Sequence, residues 1–185
     1  MKTIGLCTHF TQTDEWAFDY ALRLARSHGW QLNICHWLNS PYDLRRDLVY
    51  PDLFAAGQAV EPITPALLNR LELQLRQYYD ARLGDFDQVA FKLCEGLYQV
   101  ELTRCFRQHL LDLVVMGYQT HSENDVSGEL PLEDFASRID HPLVIVGPDA
   151  PEQFLINSAA VSWLDDLQLP DGSWKLIERE KTLAA

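Results

Sequence analysis

Two glycines, Gly117 and Gly128, bracket the segment "GYQTHSENDVSG", which follows the unbroken apolar run "LDLVVM". A strand that hands a glycine-punctuated loop to a helix is the outline of a phosphate cradle. Glycines let backbone N–H groups close on phosphate oxygens, and the helix start adds the positive end of its dipole. Here the segment and its continuation carry Glu123, Asp125, Glu129 and Glu133, with no Lys or Arg between Gly117 and Glu133. A carboxylate about 4 Å from a phosphate charge opposes binding by a few kcal/mol at an effective dielectric of about 20. A lost neutral hydrogen bond costs only about 1 kcal/mol. The repulsive effect is the larger, so the loop keeps the punctuation of a cradle without its chemistry.

Other chemistries fit less well. His9 and His121 follow predicted strands, and with Glu123 and Asp125 they offer mixed nitrogen and oxygen ligands. Their spacing matches no metal motif, and solvated loop histidines are expected instead. His36 reads as a strand-end histidine satisfied by the backbone. Nucleophilic catalysis lacks a GxSxG elbow, and Cys7, two residues before His9, is expected to be buried. Arg45 and Arg46 form the basic pair nearest the expected pocket, with Asp43 and Asp47 as ready partners. Cys7, Cys35, Cys94 and Cys105 form no CxxC pair and are expected to be reduced thiols packed as small hydrophobes.

The elements that must position these residues alternate. Strands are predicted over 3–8, 30–38, 87–96, 111–117 and 141–148. The first helix starts at Thr11 or Thr13, with Asp14 and Glu15 at its positive end, and Gly29 caps its other end. Ala17, Tyr20, Ala21, Leu24 and Ala25 give it one apolar face. A second helix runs from Pro65 to Gly84 with Leu68, Leu71, Leu75 and Tyr78 inward. A third carries Tyr98, Leu102, Cys105, Phe106 and His109, and a fourth Leu132, Phe135, Ala136 and Ile139. This alternation predicts an α/β fold: an open five-stranded parallel sheet with helices on both faces, Rossmann-like. Residues 1–148 form that domain, with a long loop at 39–62. Residues 149–185 form a C-terminal extension that docks on the domain or on a partner subunit, since Trp163 and Trp174 are costly to expose. Pro170–Gly172 reads as a hairpin turn, and "SAAVSWLDDL" as a short helix.

Hydrophobic residues make up 47% of the 185 residues and charged residues 23%, the balance of a globular protein. The formal net charge of −12 argues against nucleic acid and anionic membranes as partners. No apolar run approaches a membrane span, and "MKTIGLCTHF" has no signal-peptide pattern, so a cytoplasmic location is expected.

From residue 3 to about 147, the order of these blocks resembles the universal stress protein family. The resemblance is carried by "TIGLCTHFTQTDEWAFDYALRLARSHGWQLNICHWL" with His36 near its end, by "LLDLVVMGYQ", and by "FASRIDHPLVIVGP" with Pro142 in place. It implies an adenine-nucleotide alpha-hydrolase-like fold, dimers through the last strand, and one of two classes, ATP-binding or not. ATP-binding members of the family carry a glycine after strand four, a second three positions on, and Gly–Ser or Gly–Thr at the next helix. Gly117 matches the first. Thr120 stands in place of the second, where a β-branched residue resists positive φ. Gly128 stands as the third in a shortened loop, followed by Glu129. Those members also carry an Asp just after strand one, where this chain has His9.

These readings converge on a non-catalytic stress-response or regulatory module. It acts as a homodimer through strand five, with the extension as a further contact, and through protein partners. No cofactor is expected, and ATP or another adenine nucleotide is disfavoured. The alternative is a nucleotide or small-ligand binder using Thr8, His9, His36, Gly117, Thr120 and Gly128.

Overall fold

The computed structural model describes residues 1–42, 45, 47–54, 57, 59–120 and 129–178. In chain order the elements are β1 (Thr3–Thr8), α1 (Gln12–His28), β2 (Gln31–Trp37), β3 (Leu48–Val49), β4 (Glu61–Pro62), α2 (Pro65–Leu83), β5 (Val89–Cys94), α3 (Tyr98–Arg107), β6 (Leu113–Gly117), α4 (Leu132–Arg138), β7 (Leu143–Val146) and β8 (Phe154–Ile156). A 3-10 helix at Ser158–Trp163, α5 (Leu164–Leu167) and β9 (Trp174–Leu176) complete the described chain.

The sheet has seven strands in the order β5-β2-β1-β6-β7-β8-β9, not the five expected. The five expected strands are present and mutually parallel. The additional two come from the extension: β8 pairs antiparallel with β7, and β9 parallel with β8. Inside the long loop, β3 and β4 make a separate two-stranded antiparallel pair.

Alternation along each strand divides the core between the two faces. Ile4, Leu6, Leu32, Ile34, Val144 and Val146 pack with α1 and α2. Cys7, Cys35, Trp37, Leu143 and Ile145 pack with α3 and α4 on the opposite face. The central strand β6 is buried along its whole length, which explains its unbroken apolar sequence.

Local sequence explains the helix boundaries. Thr11, not Thr13, caps α1, and with Asp14 it forms a reciprocal capping box; Gly29 closes the helix in the left-handed conformation. Thr64 caps α2 ahead of Pro65, which needs no N–H at the first helical position. The inward stripe of α2 is Leu67, Leu71, Leu75, Tyr79 and Leu83, so Leu68 and Tyr78 are displaced from the expected face. Tyr78 is instead partly exposed and donates to Glu15. His109 lies beyond the end of α3 with φ of 53°, and is exposed.

The extension lies on the domain. Phe154, Ile156, Ala160 and Leu167 are buried in the same core as α1. The Tyr20 hydroxyl donates to the Leu167 carbonyl at 2.8 Å. Lys2 Nζ sits 4.7 Å from the Trp30 ring and 4.0 Å from the Trp163 ring, and pairs with Asp166 at 2.7 Å. One ammonium thus ties the first strand to the tail through two aromatic faces and a carboxylate. Pro170–Gly172 does turn the chain, but no hairpin forms: "LQL" lies at the end of α5 and beyond it, and β9 runs parallel to β8. A dimer built on the backbone of β7 would have to displace β8.

All four cysteines are free and buried, and no group among the described residues is arranged to hold a metal ion. No described helix is long and apolar enough to cross a membrane.

Candidate functional site

Sheet order reverses between β1 and β6, because β2 continues from one and β7 from the other. In open α/β sheets the crevice outside the C-terminal ends of the strands at such a switch point is where ligands bind. Two adjoining cavities occupy that edge, of about 170 Å³ and about 230 Å³. His9, Tyr98 and Glu129 form walls of both.

His9 follows β1 directly. Its backbone N–H donates to Asp14 Oδ2 at 2.8 Å, and the Gln119 side-chain amide donates to its Nδ1 at 2.6 Å. That contact leaves the imidazole proton on Nε2. Burial holds the His9 pKa below its ordinary value, with Asp14 opposing the shift only in part. The ring is neutral near pH 7. It lies nearly parallel to Trp37, with centroids 6.5 Å apart, and Tyr98 stands edge-on to both.

Asp14 is fully buried, and its Oδ2 also accepts from the Thr11 backbone at 3.1 Å and the Thr11 hydroxyl at 2.8 Å. A carboxylate does therefore stand behind the end of β1. It comes from the first turn of α1; its Oδ2 fixes His9 and the helix cap, and its Oδ1 has no partner among the described residues.

The structure separates the residues singled out in the sequence. His9 and Thr120 line the second cavity, and Thr120 is exposed there. Thr8 is buried, with its hydroxyl 2.8 Å from the Tyr79 hydroxyl, so its role is in packing. His36 is buried as well, and its Nδ1 donates to the Thr8 carbonyl at 2.8 Å, as the backbone-satisfied reading expected. Its Nε2 has no partner among the described residues. Gly128 lies outside the described residues, as do His121, Glu123, Asp125, Arg46 and Asp43. Arg45 pairs with Asp47 at 3.9 Å.

Gly117 does not adopt a positive φ. A Cβ there would sit 2.4 Å from the Thr13 carbonyl carbon and 2.5 Å from the Asp14 nitrogen. The glycine is required because the start of α1 presses against the end of β6. The Thr13 hydroxyl adds a 2.8 Å bond to the Tyr118 carbonyl at the same junction.

Glu129 stands against the start of α3, not at the start of the helix that follows it in the chain. The Gln99 backbone N–H points to Glu129 Oε1 at 3.4 Å, so a carboxylate of the chain already stands at the start of α3. The Gln99 side chain holds this segment in place. Its amide donates to the Leu130 carbonyl at 2.6 Å, and its Oε1 accepts from the Leu130 N–H at 2.9 Å. Sequence reasoning missed Trp37, Tyr98, Gln99 and Gln119. The available signal was positional: Trp37 ends β2, Tyr98 begins α3, and Gln119 follows β6 within two residues.

No family model matches the chain, and no curated protein matches it. Solved structures match in fold. The universal stress protein UspA from Lactobacillus plantarum is 18% identical, over 68% of this chain and 83% of that one, with a TM-score of 0.40. A universal stress protein crystallised with cAMP is 20% identical over 79% of this chain and 97% of its own, with a TM-score of 0.48. A universal stress family protein from Burkholderia pseudomallei is 20% identical over 62% and 80%, with a TM-score of 0.39. The chain is similar in fold to universal stress proteins. The likeness concerns the fold, and the chemistry of the edge rests on the residues described above.

Burial pushes the His36 pKa down to about 4, its hydrogen bond to Thr8 resisting only in part. Below an unfolded value of about 6.5, the unfolded chain takes up a proton that the folded chain refuses. The stability contributed by neutral His36 is therefore complete above pH 6.5 and is lost as pH falls toward 4. By pH 5 the loss is about 2 kcal/mol. Urea unfolding at pH 7 and pH 5 should show it, and His36→Phe should flatten the difference. An equal pH dependence in that variant would acquit His36.

Proposed function

We propose that the chain is a non-catalytic regulatory module of universal stress type that responds to a small molecule held at the switch-point edge. The observation carrying this reading is the pair of cavities walled jointly by His9, Tyr98 and Glu129 at the C-terminal ends of the parallel strands. A regulatory role is favoured over catalysis because the described hydrogen bonds of the two strand-end histidine rings run to the Gln119 amide and the Thr8 carbonyl. Neither reaches a hydroxyl or thiol nucleophile, as an activated nucleophile would require.

An adenine nucleotide is the less favoured occupant. Gly117 is committed to helix packing, and the Glu129 carboxylate stands at the helix start that would otherwise attract phosphate. The reading includes a cytoplasmic stress-response role. It also includes self-association, which we assign to the outer face of the extension because β7 is already paired with β8.

Thermal unfolding with millimolar magnesium–ATP or cAMP, alongside mass spectrometry of molecules released from the purified protein, tests the proposal. The nucleotides should raise the melting temperature by less than about 1 °C, and the released molecule should not be a nucleotide. Ligand at about 100 times its dissociation constant adds about 2.7 kcal/mol, a rise of roughly 5 to 10 °C for a domain of this size. A rise that large with magnesium–ATP would return the nucleotide reading to first place.

A further inference from the structure

The smaller cavity combines aromatic and acidic walls with Leu38, Asn39, Ser40 and Gly96. Trp37, Tyr42, Tyr98 and His9 supply aromatic rings, and Glu95 and Glu129 supply carboxylates. Trp37 and His9 lie nearly parallel with an interplanar angle of 18°, and Tyr98 closes a third side at 76° to one and 78° to the other. No Lys or Arg lines the cavity among the described residues. The ring of His9, the remaining basic group, is held neutral by burial.

Aromatic faces carry a negative quadrupole, and a cation within about 6 Å of a ring centroid is attracted to it, most strongly by Trp. Rings set around a small cavity let one cation meet several faces together. The two carboxylates add charge of the same sign. The net charge of −12 draws cations toward the molecule and repels anions.

A second observation is independent of the charges. Trp37 is 5% exposed, and its indole Nε1–H has no hydrogen-bond partner among the described residues. Buried donors ordinarily find partners, and beside Trp37 the cavity wall carries the neutral polar side chains of Asn39 and Ser40, which can meet an oxygen of a ligand. A ligand with an oxygen near its cationic centre would satisfy both features.

We infer that the cavity between Trp37, Tyr98 and Glu95 binds a small organic ammonium that carries a hydroxyl or carbonyl oxygen. This assignment rests on the proposal that the strand-end edge binds a small molecule, and it names the class of that molecule. A volume of about 170 Å³ admits a compact amine.

Calorimetric titration of the full chain at low ionic strength, with choline chloride against 3,3-dimethylbutan-1-ol, tests the assignment. The two probes share a shape and a hydroxyl, and only the first is charged; sodium chloride controls for the counter-ion. Saturable choline binding is expected, with the neutral isostere at least tenfold weaker. Glu95→Gln and Tyr42→Ser should each weaken choline at least fivefold. Both positions are exposed, so these variants test the cavity without the folding risk of replacing Trp37.

Equal binding of the two probes, or choline binding indifferent to both substitutions, would overturn the inference. No choline binding would do the same. If choline fails while another small molecule binds and His9→Ala weakens it, the ammonium assignment falls and the binding module stands. If the protein neither yields nor binds any small molecule, both fall.

Discussion

Asn157→Ala is expected to destabilise the protein by about 3 to 5 kcal/mol, the largest effect among the polar residues described. Asn157 is completely buried, and its side chain makes five hydrogen bonds. The two amide hydrogens are shared among the carbonyls of Ala136, Ile139 and His141, at the end of α4 and the turn that follows. The side-chain oxygen accepts from the Leu143 N–H at 3.1 Å and from the Ala160 N–H at 3.2 Å. One residue thus satisfies the end of a helix, the start of β7 and the cap of the 3-10 helix. Removing it strands buried carbonyls, each costing about 1 to 3 kcal/mol where water cannot enter. Urea unfolding should show the loss, with a fall in melting temperature of roughly 10 °C. Asn157→Asp should rescue little, because a carboxylate would then face three carbonyl oxygens. A loss below about 1 kcal/mol for the alanine variant would mean the site can relax or hydrate, and the account would fail.

Gly117→Ala is expected to cost about 3 kcal/mol or more, although it adds one methyl group. The obstacle to that methyl is backbone: the Thr13 carbonyl carbon and oxygen and the Asp14 nitrogen, all within 2.7 Å of the new Cβ. No side-chain rotation relieves such a contact, so the start of α1 must move. Asp14 then loses its hold on the His9 N–H, and Thr13 its bond to Tyr118. Gly5→Ala is the matched control. The three atoms nearest its Cβ all belong to the Leu111 side chain, the closest at 2.7 Å, and a leucine side chain can turn aside. Equilibrium unfolding should rank Gly117→Ala well above Gly5→Ala. Hydrogen exchange should show faster opening of the first turn of α1 in the former. Equal losses in the two variants would remove the argument that backbone approach is what demands glycine at 117.

Comparison of sequence with structure shows which features can be read from local pattern. The five parallel strands and the caps at Thr11, Gly29 and Gly84 were legible because periodicity and capping chemistry are local. The stripe of α2 was read correctly at Leu71 and Leu75 and missed at its ends: Tyr78 and Tyr79 are both aromatic, and only packing decides which turns inward. The two added strands were not legible. β8 and β9 are three residues each, too short to establish a period, and β9 follows a turn that looks like a hairpin. At the candidate site, His9 and Glu129 stood out as departures from an expected pattern. Trp37 and Tyr98 did not, because an aromatic residue at an element boundary looks like core until its neighbours are known. Gly117 was noticed for its place in a loop, and the structure adds the close approach of α1. Sequence marks a position that needs glycine without saying whether a ligand or a neighbouring helix takes the space.

The pairing of β8 with β7 gives the tail a protective role. Leu143, Val144, Ile145 and Val146 form a strand of purely apolar, fully buried residues. A chain shortened at Pro148 would leave that strand with an open row of amides and carbonyls and would bare the apolar surface that Phe154 and Ile156 now cover. The shortened domain would be adhesive, adding strands from its neighbours until it precipitated. Among the described residues the sheet ends instead at β9, three residues long with a lysine at its centre, a poor template for further growth. The tail acts as a stopper on a sheet that would otherwise keep recruiting.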